Sequence, residues 1–533
     1  MTAISPTELR RIILTAAPKS CELDPLPTFL LREYVDMLLP LLTTLCNRSI
    51  IEGVLPPSQK RSILIPILKH EGLDPTDPAN FRPIANVSFI SKVIEKVIAC
   101  QLTSYLDTNN LLPTMQSGFR KGHSTETLLL RLLSDIYGAI DRSQLTLLAL
   151  FDVSAAFDTV DHEILLKRLK ISFGVSGTFL CWLESFLHER SLCVVRGSTR
   201  SPWVSAPYGL PQGSVLGPLL YLVYTSDLTS LLASYAALAQ LYADDVQAYL
   251  HCSASDAILT TRVMSSIMGA LEAWMSSNRL RLNPAKTQFI WLGTRQQLAR
   301  LDMAALTAAF PLFSFSSVVR DLGVTLDQEL TFTPHINRLS RDCFYQLRQL
   351  RTVARSLTAS ATCTLIHAFV TTRLDYCCSL YVGLPSGRLG CLDRILRSAA
   401  RLIGRIPKFG HVSGYMREVL HWLPSEQRIV YRIAALVWNC LLGLAPAYLR
   451  ELCCPVLTAR GSRSLRSSEQ GLLLVPFART STRQNRAFSV VGPLTWNGLP
   501  LELRLLPRTY SSVFFSRLKT VLFSRAGVGS ASE

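Results

Sequence analysis

One stretch limits the folds open to this chain more than any other. Leu145-Thr-Leu-Leu-Ala-Leu-Phe151 is a nearly unbroken apolar run of strand length, followed at once by Asp152. Such a run reads as a strand covered on both faces, and an acid at its end is out of place unless chemistry needs it. Ninety-two residues beyond Asp152, Leu241–Leu250 sets two short apolar arms about the acidic tip Asp244-Asp245, the pattern of a β-hairpin. An Asp-Asp turn says little by itself, because Asp is common in turns. A strand end and a hairpin tip lying side by side in one sheet, however, bring two or three carboxylates together on rigid elements. Carboxylates suit a hard cation such as Mg²⁺, and two such ions ~3.5–4 Å apart are the usual means of joining a nucleotide to a 3′-hydroxyl.

The rest of the chain reads as alternating helix and strand. Residues 1–60 are expected to be helical and Arg61 to Leu68 a strand. Ser91 is expected to cap a helix reaching Leu106, and helices are expected over Asp161–Leu169, Leu219–Ala239 and Ala257–Leu280. Phe289–Leu292 and Val318–Leu326 look strand-like. Beyond Phe332 the pattern is mainly helical to about residue 456, after which Ala459–Gln470 and Ala478–Arg486 look like exposed loops. At roughly 100–200 residues per domain, 533 residues make three or four packed units.

Composition excludes several classes. Mean hydropathy is +0.25, so a membrane span must be considered. The best stretch, Ile433–Leu449, has only 17 residues and contains Asn439 and Pro446, against the ~20 apolar residues a span needs. A buried core helix is expected there, and no membrane partner. Met1–Glu8 lacks a basic segment followed by an apolar one, so no signal peptide is expected and an intracellular place follows, in nucleus or cytoplasm. The 14 cysteines are scattered without a Cys-x-x-Cys, which reads as reduced, buried thiols rather than zinc ligands or a disulfide framework. His123, His162 and His251 show no metal-ligand spacing either.

The net charge of +17 is unevenly placed. From Arg338 onward there are 27 Lys and Arg against 9 Asp and Glu, whereas the first 337 residues hold 28 and 29. An Arg-rich C-terminal third implies a polyanionic partner, nucleic acid before membrane.

Tyr242-Ala-Asp-Asp245 resembles the catalytic hairpin of reverse transcriptases. Phe151-Asp-Val-Ser-Ala-Ala-Phe-Asp-Thr-Val-Asp-His162 looks like the first catalytic-aspartate motif as non-LTR (LINE-like) retrotransposon enzymes write it. Between them, Gly209-Leu-Pro-Gln-Gly-Ser-Val-Leu-Gly-Pro218 is similar to the template-and-nucleotide motif. Asn80-Phe-Arg-Pro-Ile84, Ser117-Gly-Phe-Arg120, Leu282-Asn-Pro-Ala-Lys-Thr287 and Arg320-Asp-Leu-Gly-Val324 match in order. Leu374-Asp-Tyr-Cys377 and His421-Trp-Leu-Pro424 resemble the C-terminal region of such elements.

The resemblance implies an α+β right-hand polymerase: fingers, a palm with an antiparallel sheet and a helical thumb, then a basic, mainly helical C-terminal extension. The expected divisions are an N-terminal helical extension (1–48), fingers and palm (49–327), thumb and connection (328–456) and a basic C-terminal region (457–533). It implies an RNA template, a DNA primer and deoxynucleoside triphosphates as partners, with two Mg²⁺ ions, Mn²⁺ substituting. Asp152 and Asp244 are the expected metal ligands, with Asp245 in a lesser role. Asp158 is expected to cap the following helix. Phe157 would exclude a 2′-hydroxyl or serve as a core aromatic. Pro211, Gln212 and Gly213 would line the nascent base pair. Arg82 and Lys69 would grip the triphosphate, Arg120 would do the same or bind template, and Lys286 would protonate the leaving pyrophosphate or lie on the surface.

The polymerase is expected to begin by about residue 50, leaving no room for the endonuclease such elements carry upstream; that activity is expected from a missing region or another protein. The rival expectations are a catalytically silent RNA-binding relic and an RNA-dependent RNA polymerase. The intact acidic set argues against the first, Phe157 and Tyr242–Asp245 against the second.

Overall fold

The computed structural model describes residues 1–154, 156–456, 470–478, 484–509 and 512–528. At its centre four strands lie in the spatial order Gln288–Leu292, Leu145–Phe151, Asp245–Cys252, Leu238–Tyr242, each antiparallel to its neighbour. The apolar run takes an interior place because both of its faces must be covered. Leu145, Leu147, Ala149 and Phe151 enter one core with Trp182, Phe186 and Tyr221. Leu148, on the opposite face, enters a second core with the helix Thr125–Asp141 and the C-terminal helices. That division is the two-residue alternation of a strand made physical.

A second sheet carries the strands Phe81–Val87, Arg61–Leu68 and Ser191–Arg196 in that order, with the short strands Thr199–Arg200 and Val204–Ser205 both paired to the last. Arg61–Leu68 runs antiparallel to Phe81–Val87 and parallel to Ser191–Arg196.

Four local expectations change. The helix Phe89–Thr108 starts earlier than expected, because Ser88 rather than Ser91 accepts the capping hydrogen bond. Asp161, not Asp158, caps the helix His162–Ile171, accepting from the Ile164 amide at 3.0 Å. Leu219–Ala239 is not one helix: Gly217–Tyr224 and Leu228–Ser234 are separate, and Leu238 already belongs to a strand. Val318–Leu326 is not one strand but a hairpin, Val318–Asp321 against Val324–Asp327, turned by Leu322 (φ 43°) and Gly323 (φ 87°). Two successive positive φ values match the twist of a two-residue hairpin loop. The Tyr376 hydroxyl holds this turn by donating to the Leu322 carbonyl at 2.7 Å.

The stretch Ile433–Leu449 is divided between the helices Ser425–Leu441 and Ala447–Arg450, with Ile433, Val437 and Trp438 buried. Among the described residues no helix is long and apolar enough to cross a membrane. Nine of the fourteen cysteines are buried and none is paired.

The C-terminal helices are part of the central packing. Trp438 stacks on Phe514 (4.3 Å between ring centres, 8° between planes), and Trp496 flanks both. The Phe488 amide donates to Ser134 Oγ at 2.9 Å, and Arg131 donates to the Tyr448 carbonyl at 3.0 Å. Ser134 and Arg131 lie on the helix Thr125–Asp141, so residues 484–497 and Ala447–Arg450 cover the same helix that backs the central sheet, and the last helix packs on Ser425–Leu441. The expected exposed loops fall largely outside the described residues. Phe514→Ala should destabilise the chain by about 3–5 kcal/mol, the usual cost of truncating a buried aromatic. Denaturant unfolding checks this; a loss under about 1 kcal/mol would mean that the last helix packs without supporting the core.

Candidate active site

The pairing of Leu145–Phe151 with Asp245–Cys252 runs in register from Leu145↔Cys252 to Phe151↔Val246. One further step sets Asp152 across from Asp245, so residues far apart in the chain share one sheet edge. The adjacent hairpin pairs Tyr242 with Asp245 and leaves Ala243-Asp244 as its loop. Ala243 is held at φ +57°, a left-handed conformation that costs a side-chain-bearing residue roughly 1–3 kcal/mol.

That strained tip is seated on the segment Met115–Phe119. Gln116 Oε1 accepts from the amides of Ala243 (3.0 Å) and Gly118 (2.9 Å), while its Nε2 donates to the Ala243 carbonyl at 3.3 Å. The Leu241 amide donates to the Met115 carbonyl at 3.0 Å, and the Ser117 amide to the Leu241 carbonyl at 2.8 Å. A Cβ on Gly118 would stand 2.2 Å from the Ala243 nitrogen. Gln116 and Gly118 are therefore what aims Asp244.

Electrostatically the site is a carboxylate cluster short of positive charge. Asp244 is held above the usual carboxylate range by burial and then by Asp152, opposed by Arg82 and Lys286. Asp245 is pushed up to about 6, first by loss of water and then by Asp244 and Asp152. Lys286 donates to Asp152 Oδ2 at 3.3 Å. The loop that carries it is anchored by the Asn283 amide, which donates to the Asp152 carbonyl at 2.8 Å. Behind the hairpin Asp321 is fully buried, pushed up to about 8 by burial and by Asp245, and accepts from Gln247 Nε2 at 2.6 Å. Burial there favours its protonated form.

Among the described residues no three Asp, Glu, His or Cys side chains stand close enough to grip one ion together. The donor set nevertheless fits a hard divalent cation. Asp152, Asp244 and Asp245 offer oxygen alone, and their mutual repulsion is what such a charge would relieve.

Phe157 stacks on Tyr221 (4.8 Å, 21°) and meets the edge of Phe119 at 6.2 Å. Tyr221 is buried, and its hydroxyl is raised well above the ordinary value by burial and then by Asp244. Gln212 Nε2 donates to both oxygens of Asp158, at 2.9 and 3.0 Å, and its carbonyl accepts from the Ala85 amide at 2.7 Å. Gly213, at φ +126°, lies where a Cβ would meet the Ala85 carbonyl at 2.5 Å, so only glycine lets this loop close on the strand that carries Arg82. Pro211 lines a cavity of about 430 Å³ beside them.

Three expected phosphate-gripping residues separate. Arg82 is exposed, with its charge felt at Asp244. Lys69 donates to the Ala79 carbonyl at 2.7 Å, and its charge acts on Asp158. Arg120 is half-buried and donates to the Pro113 and Gln116 carbonyls, at 2.7 and 3.2 Å, bracing the segment beneath the hairpin. The sequence reading missed Gln116, Glu95, Tyr221 and Asp321. Glu95 is buried and accepts from the amides of Val215 (2.6 Å) and Leu216 (3.2 Å), fixing the end of the Gly209–Pro218 loop. An acid inside the apolar helix Phe89–Thr108 was the available signal.

An antiparallel sheet with acids at adjoining strand ends, a flanking loop that closes on a second sheet and a helical region behind defines the palm of a right-hand polymerase. Residues 67–326 match the family model described as reverse transcriptase (RNA-dependent DNA polymerase). Over 304 residues the chain is 34% identical to a probable RNA-directed DNA polymerase from transposon BS of Drosophila melanogaster, covering 55% of this chain and 32% of that protein. It is 28% identical over 350 residues to the RNA-directed DNA polymerase from mobile element jockey of the same species, covering 64% and 37%. With the probable enzyme from transposon X-element of that species the figures are 27% over 369 residues, 68% and 39%. The chain spans about a third of the length of these relatives. Residues 67–326 are a reverse transcriptase domain of the kind carried by non-LTR retrotransposons.

Gly118→Ala should slow primer extension by about 100-fold, because displacing reacting groups by an ångström costs on that order. Steady-state extension assays check it; a near-normal rate would mean that Gly118 does not seat the hairpin.

Proposed function

We propose that this chain is an RNA-directed DNA polymerase that extends a DNA primer along an RNA template with deoxynucleoside triphosphates. The observation that carries the reading is the convergence of Asp152, Asp244 and Asp245 at one sheet edge, with Arg82 and Lys286 the cations felt there.

Asp152 and Asp244 would hold Mg²⁺, with Asp245 secondary and Mn²⁺ an alternative ion. Two such ions, when bound, supply Lewis-acid stabilisation of the attacking and leaving oxygens. The protein's own part is positioning. Arg82 binds the triphosphate of the incoming nucleotide through its planar fork. Lys286, already beside Asp152, gives a proton to the departing pyrophosphate. Phe157, fixed between Tyr221 and Phe119, fills the space a 2′-hydroxyl would need. Pro211, Gln212 and Gly213 form the wall of the nascent base pair, and Asp158 orients the Gln212 amide.

Asp244→Asn should keep the fold and abolish extension on an RNA template, since an amide binds Mg²⁺ far more weakly than a carboxylate. Circular dichroism and primer extension together check this, and near-normal extension by the variant would remove Asp244 from the reaction. Phe157→Val should admit ribonucleotides. An unchanged preference for deoxynucleotides in competition assays would return Phe157 to a packing role.

A further inference from the structure

The segments Leu374–Cys377 and His421–Pro424 have no part in the palm chemistry, yet the fold brings them together. Asp375 from the first and Trp422 from the second line one cavity of about 440 Å³ among the helices that follow the palm, and Lys519 of the last helix completes it. We propose that this cavity is a second nucleic-acid site, which takes one nucleotide of a single strand outside the palm.

Charge is the first argument. Asp375 is the one acid in the lining, and Arg428 Nη1 already donates to both of its oxygens, at 2.7 and 3.0 Å. Arg432 also lines the cavity, and only its Nε is engaged, donating to Glu126 Oε2 at 2.6 Å. Among the described residues Nη2 of Arg428, both Nη atoms of Arg432 and the Lys519 ammonium have no hydrogen-bond partner. Arg428 and Arg432 are each paired with one carboxylate, Asp375 and Glu126, so the Lys519 ammonium leaves the cavity net positive, and the open guanidinium edges fit a phosphate.

Shape is the second. A cavity of this size holds a nucleotide-sized ligand, and half-buried Tyr431, with buried Trp422 behind it, gives it an aromatic wall of the sort on which bases of single strands stack. The wall is rigid. Arg428 lies over the Trp422 ring at 5.9 Å, and His367 meets that ring edge-on at 5.6 Å. The frame is irregular in ways that ordinary helix packing does not require. His367–Thr371 is a π-helical turn, and Cys377 and His421 both take left-handed backbone (φ 52° and 51°). Such departures persist where surrounding contacts impose them, and they gather at binding sites.

The test is fluorescence anisotropy of the full chain with labelled 12-residue oligouridine and oligothymidine, across a salt series. Lys519→Gln is the probe variant. Arg517→Gln, exposed one half-turn away and outside the lining, controls for charge alone. Lys519→Gln should raise Kd about five-fold and flatten the slope of log affinity against log salt by about 0.7, one phosphate contact on a single strand, while Arg517→Gln leaves both near wild type. A loss shared by both oligonucleotides supports a site for single strands of either sugar, and a loss confined to oligouridine supports one for RNA. If the two variants behave alike, or if Lys519→Gln changes neither quantity, the proposal is overturned. Both side chains reach solvent, so neither substitution threatens the fold.

Discussion

Everything at the candidate site depends on the register between two strands. Leu145–Phe151 and Asp245–Cys252 exchange backbone hydrogen bonds along their whole length, and a slip of one residue would turn every side chain to the other face. The two cores forbid that slip, because Leu147 and Leu148 must enter different ones. Hydrophobic alternation therefore does more than hold the sheet together. It sets the carboxylate that ends one strand against those that turn the other, despite the repulsion that raises Asp244 and Asp245.

Holding like charges together needs a rigid mount. The hairpin tip is strained at Ala243, and the Gln116 side chain supplies both a donor and an acceptor to that one residue. Ser117, next in line, shares a buried hydrogen bond with Tyr448 at 2.8 Å. Tyr448 also bonds Thr127, on the helix that backs the sheet, at 3.0 Å. The acidic tip is thus connected through a few buried polar contacts to the C-terminal helices. The region after the palm is accordingly tied to the site through Ser117 and the helix Thr125–Asp141.

Much of this was legible in the sequence because the informative signals were local. The apolar run ending in Asp152 and the acidic hairpin tip announced strand, turn and site within a few residues each. The expected strand Arg61–Leu68 begins and ends where its apolar pattern does. What escaped depends on contacts between distant segments. Asp158 stands three residues before Asp161 and looks like a cap, but its oxygens meet Gln212, 54 residues on. Leu219–Ala239 is largely apolar, so periodicity hides the strand beginning at Leu238, and only the short polar run Thr225-Ser-Asp227 marks the break between the helices. Ser117-Gly-Phe-Arg120 was legible as a motif, whereas its work, supporting Ala243 through Gly118 and bracing Gln116 through Arg120, exists only in three dimensions.

The central claim is that Asp152 and Asp244 form one cation site. A double-mutant cycle on Mn²⁺ affinity tests it most directly, with Asp152→Asn, Asp244→Asn and the double variant measured by titration calorimetry of the full chain. Contacting residues show interaction energies of about 0.5–3 kcal/mol, whereas independent sites add. The account predicts that each single variant weakens Mn²⁺ binding at least about ten-fold and that the double variant loses little more than either. Strictly additive losses, or single variants that bind Mn²⁺ as the wild type does, would contradict it.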